Sequence, residues 1–526
     1  MKRRHFIKSA ISGAMLVGSG ALPFQCINIK EKKRKRYGYQ SKRRIPIVYD
    51  VDIVIVGGTT AAVAAAVAAA KQGNKVFLIT PEPYLGVDIC GYYQFKGNCE
   101  KVLDTELGRK LFNNRNITPL QIKKILDNEL IDNNVGFLYS SYVTDIVSDE
   151  DDNISGIIIC NRSGSQAIKA KVVIDATPQA TIAKLSGVSL TPYKKGKQKF
   201  KYTVVGNKTS NHHENVTNID LRPSIQFYEN SYPVQEYTFW AEMEDDSWKS
   251  ICEAEQLAKD ITWDADQVES SEYLFQIPKN HIVGKVSLEE KDVDVLTVDL
   301  LAFQPKQTNY IFMLNGYADI DRKSMAYLLE SGMMIKIGER IAMEASLFVK
   351  NRLLKKTIYV KGQYDKSVIK GDVCEILDGL RPLYNLGFIE AEATILPIWG
   401  TYDVVVVGGG TAGAPAALGA SRKGVKTLVL EYLHGLGGIG TFGKIEHYFD
   451  GYREGFTKEV DKGVRELGGT NPRQRNKSNQ WVTDWKEEFY RREIKRANGD
   501  IWFGVLGVGA YVENNTVKGV VIATPE

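Results

Sequence analysis

The stretch Asp403-Val-Val-Val-Val-Gly408-Gly409-Gly410-Thr411-Ala412-Gly413 decides the fold of this 526-residue chain. Its run of β-branched residues is typical of a strand that is buried on both faces. The alanine-rich segment after the glycines ends at Gly424, which predicts a helix with a glycine at its C-terminus. Residues Thr427–Glu431 predict a second buried strand. This order of elements indicates a β-α-β unit of the dinucleotide-binding type.

The glycines of this stretch have the full G-x-G-x-x-G spacing. Gly408 permits the tight turn, Gly410 lets the backbone approach a pyrophosphate, and Gly413 brings the helix against the strand. The free amides and the positive end of the helix then face the phosphates. Glu431 follows Gly413 by 18 residues, where its carboxylate can accept hydrogen bonds from a ribose. A glycine turn without a ligand is the less favoured interpretation, because strand, helix and acidic residue occur together.

The same pattern occurs earlier, in Asp52-Ile-Val-Ile-Val-Gly57-Gly58-Thr59-Thr60-Ala61-Ala62. Gly408 lies 351 positions after Gly57. The same offset aligns Leu85-Gly86 with Leu436-Gly437, so the alignment of the two stretches needs no insertion. These matches predict an internal repeat and therefore two Rossmann-type units.

The first unit departs from the pattern, because Thr59, Ala62 and Thr80 stand where the second has Gly410, Gly413 and Glu431. Loss of the acidic residue removes a charge-assisted hydrogen bond of roughly 1.5 to 3 kcal/mol. Two interpretations stay open for the first site: it holds a dinucleotide, or it is weak or empty.

Composition places the chain among folded globular proteins, with 43% hydrophobic and 25% charged residues. The net charge of +5 is concentrated between Lys30 and Arg44, so bulk charge gives no support for nucleic-acid binding. The six cysteines form no C-x-x-C pair, and the polar run around His212 and His213 favours a loop over a metal site. We therefore expect neither a disulfide scaffold nor a metal.

The N-terminus, Lys2-Arg3-Arg4-His5-Phe6-Ile7-Lys8, precedes a short apolar stretch rich in glycine and resembles a twin-arginine export signal. That stretch is too short and too rich in glycine to span a bilayer stably. We therefore predict a protein exported to the periplasm or cell envelope, with the twin-arginine machinery as a partner. Cys26 is a candidate for a lipid anchor, although Phe24 and Gln25 replace the small residues of a lipoprotein cleavage site.

The segment Gly408–Gly413, together with Glu431-Tyr-Leu-His-Gly-Leu-Gly-Gly-Ile-Gly-Thr441, resembles exported bacterial FAD-dependent oxidoreductases of the FAD-oxidored group, including the xanthan lyase-like members. Gly57-Gly-Thr59 resembles a variant fingerprint of that group. The resemblance covers both Rossmann openings and the segments after them, about half of the chain. It implies FAD rather than NAD, since in such flavoproteins the Leu-Gly-Gly turn lies along the flavin arm.

The resemblance assigns Gly437 and Gly438 to the cofactor, with Val87 replacing the second glycine in the first unit. Such flavoproteins also have a later strand that ends in Ala-Thr-Gly-Asp. Here the first unit reads Asp175-Ala-Thr177-Pro178-Gln179, which weakens the case for its site. The predicted cofactor-binding residues are Gly408, Gly410, Thr411, Ala412, Gly413, Glu431, Gly437 and Gly438 in the second unit and Gly57, Gly58 and Thr59 in the first.

Alternating aromatic and β-branched runs predict an antiparallel covering domain between the two units. These runs are Tyr237–Trp240, Val295–Leu301 and Tyr310–Met313, and Lys323–Leu354 predicts one long returning helix. The predicted divisions are a signal (1–26), a basic linker (27–48), the first Rossmann-type unit (49–198), a β-rich covering domain (199–320), a return segment (321–400) and the second Rossmann-type unit (401–526).

The elements that follow the opening of each unit can be paired. The predicted pairs are helix 120–133 with 485–497, strand 136–139 with 501–504, and strand 155–160 with 518–523. In the first unit the chain continues into the strand that ends at Asp175, whereas in the second it stops at Glu526. We therefore expect an α/β fold with an incomplete second unit, an exposed sheet edge and weak FAD retention.

The favoured function is an exported FAD-dependent oxidoreductase that acts on an unidentified small-molecule or sugar-like substrate. His447 and Tyr448 are catalytic candidates only by their position after the glycine turn. One alternative is a non-catalytic, degenerate flavoprotein fold that acts as a binding or surface module. A second alternative, an NAD-dependent dehydrogenase, depends on the same fingerprint.

Overall fold

A computed structural model describes residues 37–95, 100–113, 117–207, 215–227, 230–290, 293–330, 332–363, 370–377, 386–474 and 480–526. The predicted export signal, Cys26, and the His212–His213 pair lie outside these residues. Within them, no helix is long and apolar enough to cross a membrane.

The α-helices of the described residues are α1 Thr60–Lys71, α2 Glu100–Leu103, α3 Glu106–Phe112, α4 Pro119–Asp132, α5 Thr181–Leu185, α6 Trp248–Thr262, α7 Arg322–Leu328, α8 Met334–Asn351, α9 Gly413–Ser421, α10 Phe456–Gly468 and α11 Thr483–Arg496. The β-strands are β1 Tyr37–Gln40, β2 Arg43–Val56, β3 Val76–Ile79, β4 Gly136–Leu138, β5 Tyr142–Asp149, β6 Ile154–Asn161, β7 Gly164–Asp175, β8 Gly196–Val205, β9 Thr217–Phe227, β10 Asn230–Met243, β11 Glu269–Ser270, β12 Ile311–Met313, β13 Ile358–Val360, β14 Asp372–Glu375, β15 Phe388–Ala391, β16 Thr394–Pro397, β17 Val404–Val407, β18 Thr427–Glu431, β19 Asp500–Phe503, β20 Leu506–Glu513 and β21 Thr516–Ala523.

The first unit is built on a nine-stranded mixed sheet. Strand β2 is parallel to both β3 and β7, and β12 is parallel to β7 on its other side. Helix α1 packs against α8 at small residues, because a Cβ added to Gly338 would lie 2.5 Å from the carbonyl oxygen of Ala61. The sheet and these helices enclose the largest apolar core.

The covering domain is a four-stranded antiparallel sheet in the order β11-β8-β10-β9, with α6 packed on it. Its core includes Leu428 and Trp502 of the second unit. Trp248 of α6 donates its indole N–H to the carbonyl oxygen of Phe503 at 2.8 Å. The covering domain therefore joins the second unit as well as the first.

Two runs that were predicted as strands of the covering domain have other structures. Residues 295–301 form turns and the start of a 3-10 helix, Leu300–Phe303. The side chains of Asp294 and Asp299 accept hydrogen bonds from the amides of Leu296 and Leu301, which bends the chain into turns. Residues 311–313 do form a strand, β12, but it lies in the parallel part of the first unit's sheet.

The predicted long helix Lys323–Leu354 is two helices, α7 and α8. Gly332 lies between them with a φ of +83°, a left-handed conformation that glycine adopts readily. A Cβ at Gly332 would lie 2.7 Å from the ring of Phe112. The helix is therefore interrupted where the chain passes close to α3.

The second unit contains a three-stranded parallel sheet, β17-β18-β19. Apolar residues of this sheet and of α9, α10 and α11 form one core. A separate antiparallel sheet joins β20 and β21 to β14. Each of the elements predicted after the glycine turn is present, with small differences at the ends. Among the described residues β17 has a strand partner only in β18, so the neighbour that β7 supplies to β2 has no counterpart in this sheet.

Strands also occur inside the range 27–48 that was predicted as a linker. β1 pairs with β16, and β2 begins at Arg43. The Arg43 guanidinium forms an ion pair of 3.0 Å with Glu375. Basic residues at the end of this range therefore belong to a sheet, since acidic partners lie beside them.

Candidate functional site

The glycine-rich segment Gly408–Gly413, here named the α9 cradle, connects β17 to α9. Gly408 has a φ of +91°, which produces the tight turn. A Cβ on Gly413 would lie 1.7 Å from the carbonyl oxygen of Gly408, so only glycine allows this contact. A Cβ on Gly410 would meet no heavy atom within 4 Å. The cradle is therefore tightly packed between Gly408 and Gly413, whereas Gly410 faces free space.

The N-terminus of α9 has no side-chain cap. Thr411 and Ala412, the residues just before the helix, are exposed. An uncapped helix N-terminus presents free amides and the positive end of the helix dipole, which together favour an anion. This end of α9 can therefore hold a phosphate group.

Glu431 lies at the end of β18, beside the cradle. Its Oε2 accepts a hydrogen bond from the amide of Gly409 at 2.6 Å, and its Oε1 accepts one from the amide of Leu433 at 2.9 Å. These two bonds hold the carboxylate in one orientation. The structure thus brings the predicted acidic residue to the predicted glycines.

The turn at Gly437–Gly438 lies against the same cradle. The Gly437 amide donates to the carbonyl oxygen of Gly409 at 2.8 Å, and the Thr411 hydroxyl donates to the carbonyl oxygen of Gly437 at 3.2 Å. A Cβ on Gly438 would lie 2.9 Å from the Thr411 amide nitrogen, which explains the need for glycine. All eight predicted residues of the second unit therefore lie together.

Among the described residues no further strand covers the free side of β17. Val407, the last residue of β17, is 54% exposed. In the first unit the equivalent end of β2 is covered by β7. The second unit thus combines a well-formed cradle with an open flank.

The corresponding helix of the first unit, α1, has a capped N-terminus. Asp88 accepts hydrogen bonds from the Thr60 amide at 2.8 Å and from the Thr60 hydroxyl at 2.5 Å. The Thr59 hydroxyl accepts another from the amide of Ala62 at 3.1 Å. Desolvation raises the pKa of Asp88 because it disfavours the charged carboxylate. These residues do not fit a pyrophosphate, since side chains of the protein already take up the donors.

The carboxylate lost at Thr80 is not replaced in the first unit. The Thr80 hydroxyl donates to Glu82, which is buried. Burial raises the pKa of Glu82. Gly57 and Gly58 fit closely into the turn, where a Cβ would lie 2.4 Å from the carbonyl oxygen of Ala176 and 2.6 Å from the Thr80 hydroxyl. Close packing thus explains why both positions are glycine.

A cavity of about 80 Å³ adjoins the N-terminus of α1. Its lining comes from the carboxyl ends of β2, β7 and β12, the 88–94 turn, the covering domain and the start of α8; it includes Thr59, Asp88, Tyr92, Phe275, Leu314 and Met334. Sequence reasoning did not find this cavity or the role of Asp88. One feature of the sequence could have indicated the role of Asp88. At the constant offset of 351 positions, Asp88 corresponds to the apolar Ile439 of the second unit.

His447 and Tyr448, the catalytic candidates, contact other side chains of the second unit. The ring of His447 lies tilted against the ring of Phe449, with centroids 4.3 Å apart. The Tyr448 hydroxyl donates to Asp461 at 3.2 Å, and its ring lies 4.6 Å from Trp481. These contacts give no support for a catalytic role.

The described residues contain no cluster of His, Cys, Asp and Glu that could hold a metal ion. Their four cysteines, Cys90, Cys160, Cys252 and Cys374, are free thiols. For the described part of the chain, the site therefore depends on backbone amides and carboxylates.

Asp175, at the end of β7, is a buried hydrogen-bond acceptor in the first unit. Burial raises its pKa to about 6. Because the folded state then binds this proton more tightly than the unfolded state, the free energy of unfolding should fall as pH rises from about 4 to about 6 and stay level above that.

We expect this decline to be on the order of 2 kcal/mol and to be absent in Asp175→Asn. Urea unfolding of both proteins across pH 4 to 7 measures it. Parallel pH profiles for the two proteins would contradict the assignment.

Comparison with known proteins identifies the family of this chain. The chain matches the model of the FAD dependent oxidoreductases over residues 52–318 and 403–526, well over half of its length. It belongs to the FAD-dependent oxidoreductase family. FAD is the cofactor of this family, and the mixed α/β fold with FAD-binding-type units is confirmed.

A protein similar to this chain is pseudooxynicotine dehydrogenase of Pseudomonas sp., which is 45% identical to it over 125 residues. That match spans 24% of this chain and only 17% of the dehydrogenase. Similar solved structures include the flavin-dependent brominase Bmp2 (14% identity, TM-score 0.35, 58% of this chain and 80% of that one) and p-nitrophenol 4-monooxygenase PnpA from Pseudomonas putida DLL-E4 (11%, 0.34, 58% and 82%).

Proposed function

We propose that this chain is an exported FAD-dependent oxidoreductase and that the α9 cradle binds the pyrophosphate of its FAD. One observation carries the proposal. The N-terminus of α9 is uncapped beside a fixed Glu431 carboxylate, whereas the N-terminus of α1 is capped by Asp88. Of these two helix ends, that of α9 is the one that favours an anionic cofactor.

The residues of the second unit would each perform a defined part of the binding. The amides at the start of α9 would donate to the phosphates, and Glu431 would accept hydrogen bonds from the ribose. The Gly437–Gly438 turn would leave room for the rest of the cofactor. FAD, when bound, supplies the oxidation–reduction chemistry, while the protein positions it and sets its electrostatic environment.

The substrate class proposed is a small molecule or a sugar-like compound. The resemblance of the Glu431–Thr441 segment to xanthan lyase-like members supports it. We also infer that the two units arose by duplication, a proposal supported by the constant register between Asp52–Gly86 and Asp403–Gly437.

The test of cofactor binding is the flavin content of protein purified after supplementation with FAD. We expect bound FAD, identified by its visible absorbance and by chromatography after release, and no stable binding of NAD. Absence of flavin after supplementation would favour a non-catalytic, degenerate fold that acts as a binding or surface module. The capped α1 and the exposed end of β17 are the observations that favour this second candidate.

Export is proposed from the paired arginines at Arg3 and Arg4. Changing both to lysine should leave the precursor in the cytoplasm, because the export receptor distinguishes guanidinium groups from ammonium groups. Cell fractionation measures this effect. The matched control is Arg34→Lys with Arg36→Lys, which should be exported normally.

Unaltered export of the Arg3→Lys, Arg4→Lys protein would contradict the signal assignment. A Cys26→Ser variant tests the proposed lipid anchor in the same fractions. An anchored protein would move from the membrane fraction to the soluble periplasmic fraction, whereas an unchanged distribution would exclude the anchor.

A further inference from the structure

We propose that the free edge of β17 binds an extended segment of another polypeptide chain, which adds one parallel strand to the sheet of the second unit. The β17 edge is defined here as the backbone of Val404–Val407 on the side away from β18. Among the described residues β17 pairs only with β18, so this side has no strand beside it. A row of unpaired amides and carbonyls on an extended strand favours one class of ligand, an extended peptide.

The first unit shows which kind of strand fits this edge. There β7 lies parallel to β2, with residues 53–56 opposite residues 172–175. At the constant offset of 351 positions, residues 404–407 are the equivalents of 53–56. The stretch Lys171-Val-Val-Ile-Asp175 is therefore a template, within the same molecule, for the segment that the β17 edge would bind.

A backbone hydrogen bond marks the place of this segment. In the first unit the amide of Ala176, just after β7, donates to the carbonyl oxygen of Val56 at 2.7 Å. Val407 is the equivalent of Val56, and the described residues supply no matching backbone donor to it. Val407 is 54% exposed, whereas Val56 is 2% exposed. A strand on this edge would therefore satisfy a carbonyl group and bury apolar surface.

Charge at the start of β17 favours a basic residue in the segment. In the first unit Lys171 forms an ion pair of 2.9 Å with Asp52. The equivalent of Asp52 is the exposed Asp403. Both aspartates are held in the same way, because each accepts a hydrogen bond of 2.9 Å from the amide just before the next strand, that of Lys75 or Lys426. The described part of the second unit supplies no cation to Asp403, which leaves this place for a partner.

The glycine turn leaves room for the segment. A Cβ on Gly57 would lie 2.4 Å from the carbonyl oxygen of Ala176, because the end of β7 passes close to that turn. A Cβ on Gly408 would meet no heavy atom within 4 Å, so the corresponding space is free. A bound segment would pass beside Gly408 and cover the open flank of the α9 cradle.

These comparisons define the partner as a segment with a lysine or arginine at its start, followed by β-branched residues and a carboxylate. A second copy of this chain fits less well. Its own free edge, Thr401-Tyr-Asp403-Val-Val-Val-Val407, brings no basic residue to Asp403. The charge at Asp403 therefore favours a different chain.

The test is a fluorescence-anisotropy titration of the full chain, without FAD, with a fluorescein-labelled peptide that copies Lys169–Thr177. We expect saturable binding. N-methylation at Ile174 should weaken it at least about 5-fold, because the amide of Ile174 faces the same side as that of Ala176. N-methylation at Val173 is the matched control and should change little, since the Val173 amide faces the other side, where it donates to Tyr310 in the first unit.

Variants of the protein test the charge and the register. Asp403→Asn should weaken binding about 2- to 5-fold, whereas Asp52→Asn, the same change in the first unit, should leave it unchanged. With oxidised glutathione present, Val407→Cys should couple faster to a peptide with cysteine at the position of Asp175 than to one with cysteine at that of Lys171. The reverse order would show antiparallel binding and overturn the proposal.

Absence of saturable binding would also overturn the proposal, as would equal affinities of the parent peptide and the peptide methylated at Ile174. Sedimentation of the protein without peptide tests the other occupant. A dimer that the peptide dissociates would place a second copy on the β17 edge and would contradict the assignment to a different chain. None of these measurements uses FAD, so their outcome is independent of the proposed function.

Discussion

Gly410→Val should abolish flavin retention, lowering the affinity for FAD by about 100-fold or more. The Cβ of a residue at this position meets no protein atom within 4 Å, so the chain should tolerate the substitution. The branched side chain would instead occupy the space through which a pyrophosphate approaches α9. The flavin-to-protein ratio after supplementation and the melting temperature together measure this result.

The matched control for Gly410→Val is Thr59→Val, at the same position of the first unit. Thr59 caps α1 through its hydroxyl, so this change should cost about 1 kcal/mol of stability while leaving flavin content unchanged. Equal flavin content in the wild type and Gly410→Val would place the cofactor in the first unit or nowhere, and would end the assignment to the α9 cradle.

Asp175→Ala should lower the free energy of unfolding by about 3 to 5 kcal/mol. The Asp175 carboxylate accepts hydrogen bonds from five donors, all of which are buried: the amide and hydroxyl of Thr177, the amides of Ile182 and Ala183, and the side-chain amide of Asn315. Alanine would remove the acceptor of these five bonds at a buried position. Urea unfolding at pH 7 measures the change.

The control for Asp175→Ala is Asp175→Asn, which keeps the shape and one acceptor oxygen. Its loss of stability should therefore be smaller than that of the alanine variant. A loss below about 1 kcal/mol for Asp175→Ala would show that water replaces the carboxylate, and would remove Asp175 from the stabilising contacts of the first unit.

The parts of the fold that depend on local chemistry could be predicted from the sequence. Both β-α-β openings are present because glycines, β-branched runs and alanine-rich segments act over a few neighbouring residues. The capping box of α4, formed by Thr118 and Gln121, is also local, because its two residues are three positions apart. The α9 cradle, with Glu431 beside it, also follows from this local pattern.

The parts that depend on distant contacts could not be predicted. The break between α7 and α8 results from the close approach of Gly332 to Phe112, and the placement of β12 results from its pairing with β7. Asp88 lies 28 positions after Thr60 in the sequence, and it caps α1 only because the chain turns back to the N-terminus of that helix. Apart from the difference between Asp88 and Ile439 at equivalent positions of the two units, the sequence gives no signal for such contacts, since each depends on where two separate segments meet.

The pairing of β2 with β15 has a consequence for biosynthesis. Ile45 is hydrogen-bonded in register with Ile389, and Tyr37 of β1 pairs with Pro397 of β16. At about 5 to 20 residues per second, a ribosome needs roughly 17 to 72 seconds to make the partners of these strands. Until then the first sheet has an unpaired, apolar edge, which is a site for aggregation. Nascent chains of this protein should therefore need a holding chaperone, and slower translation should lengthen the interval in which they need it.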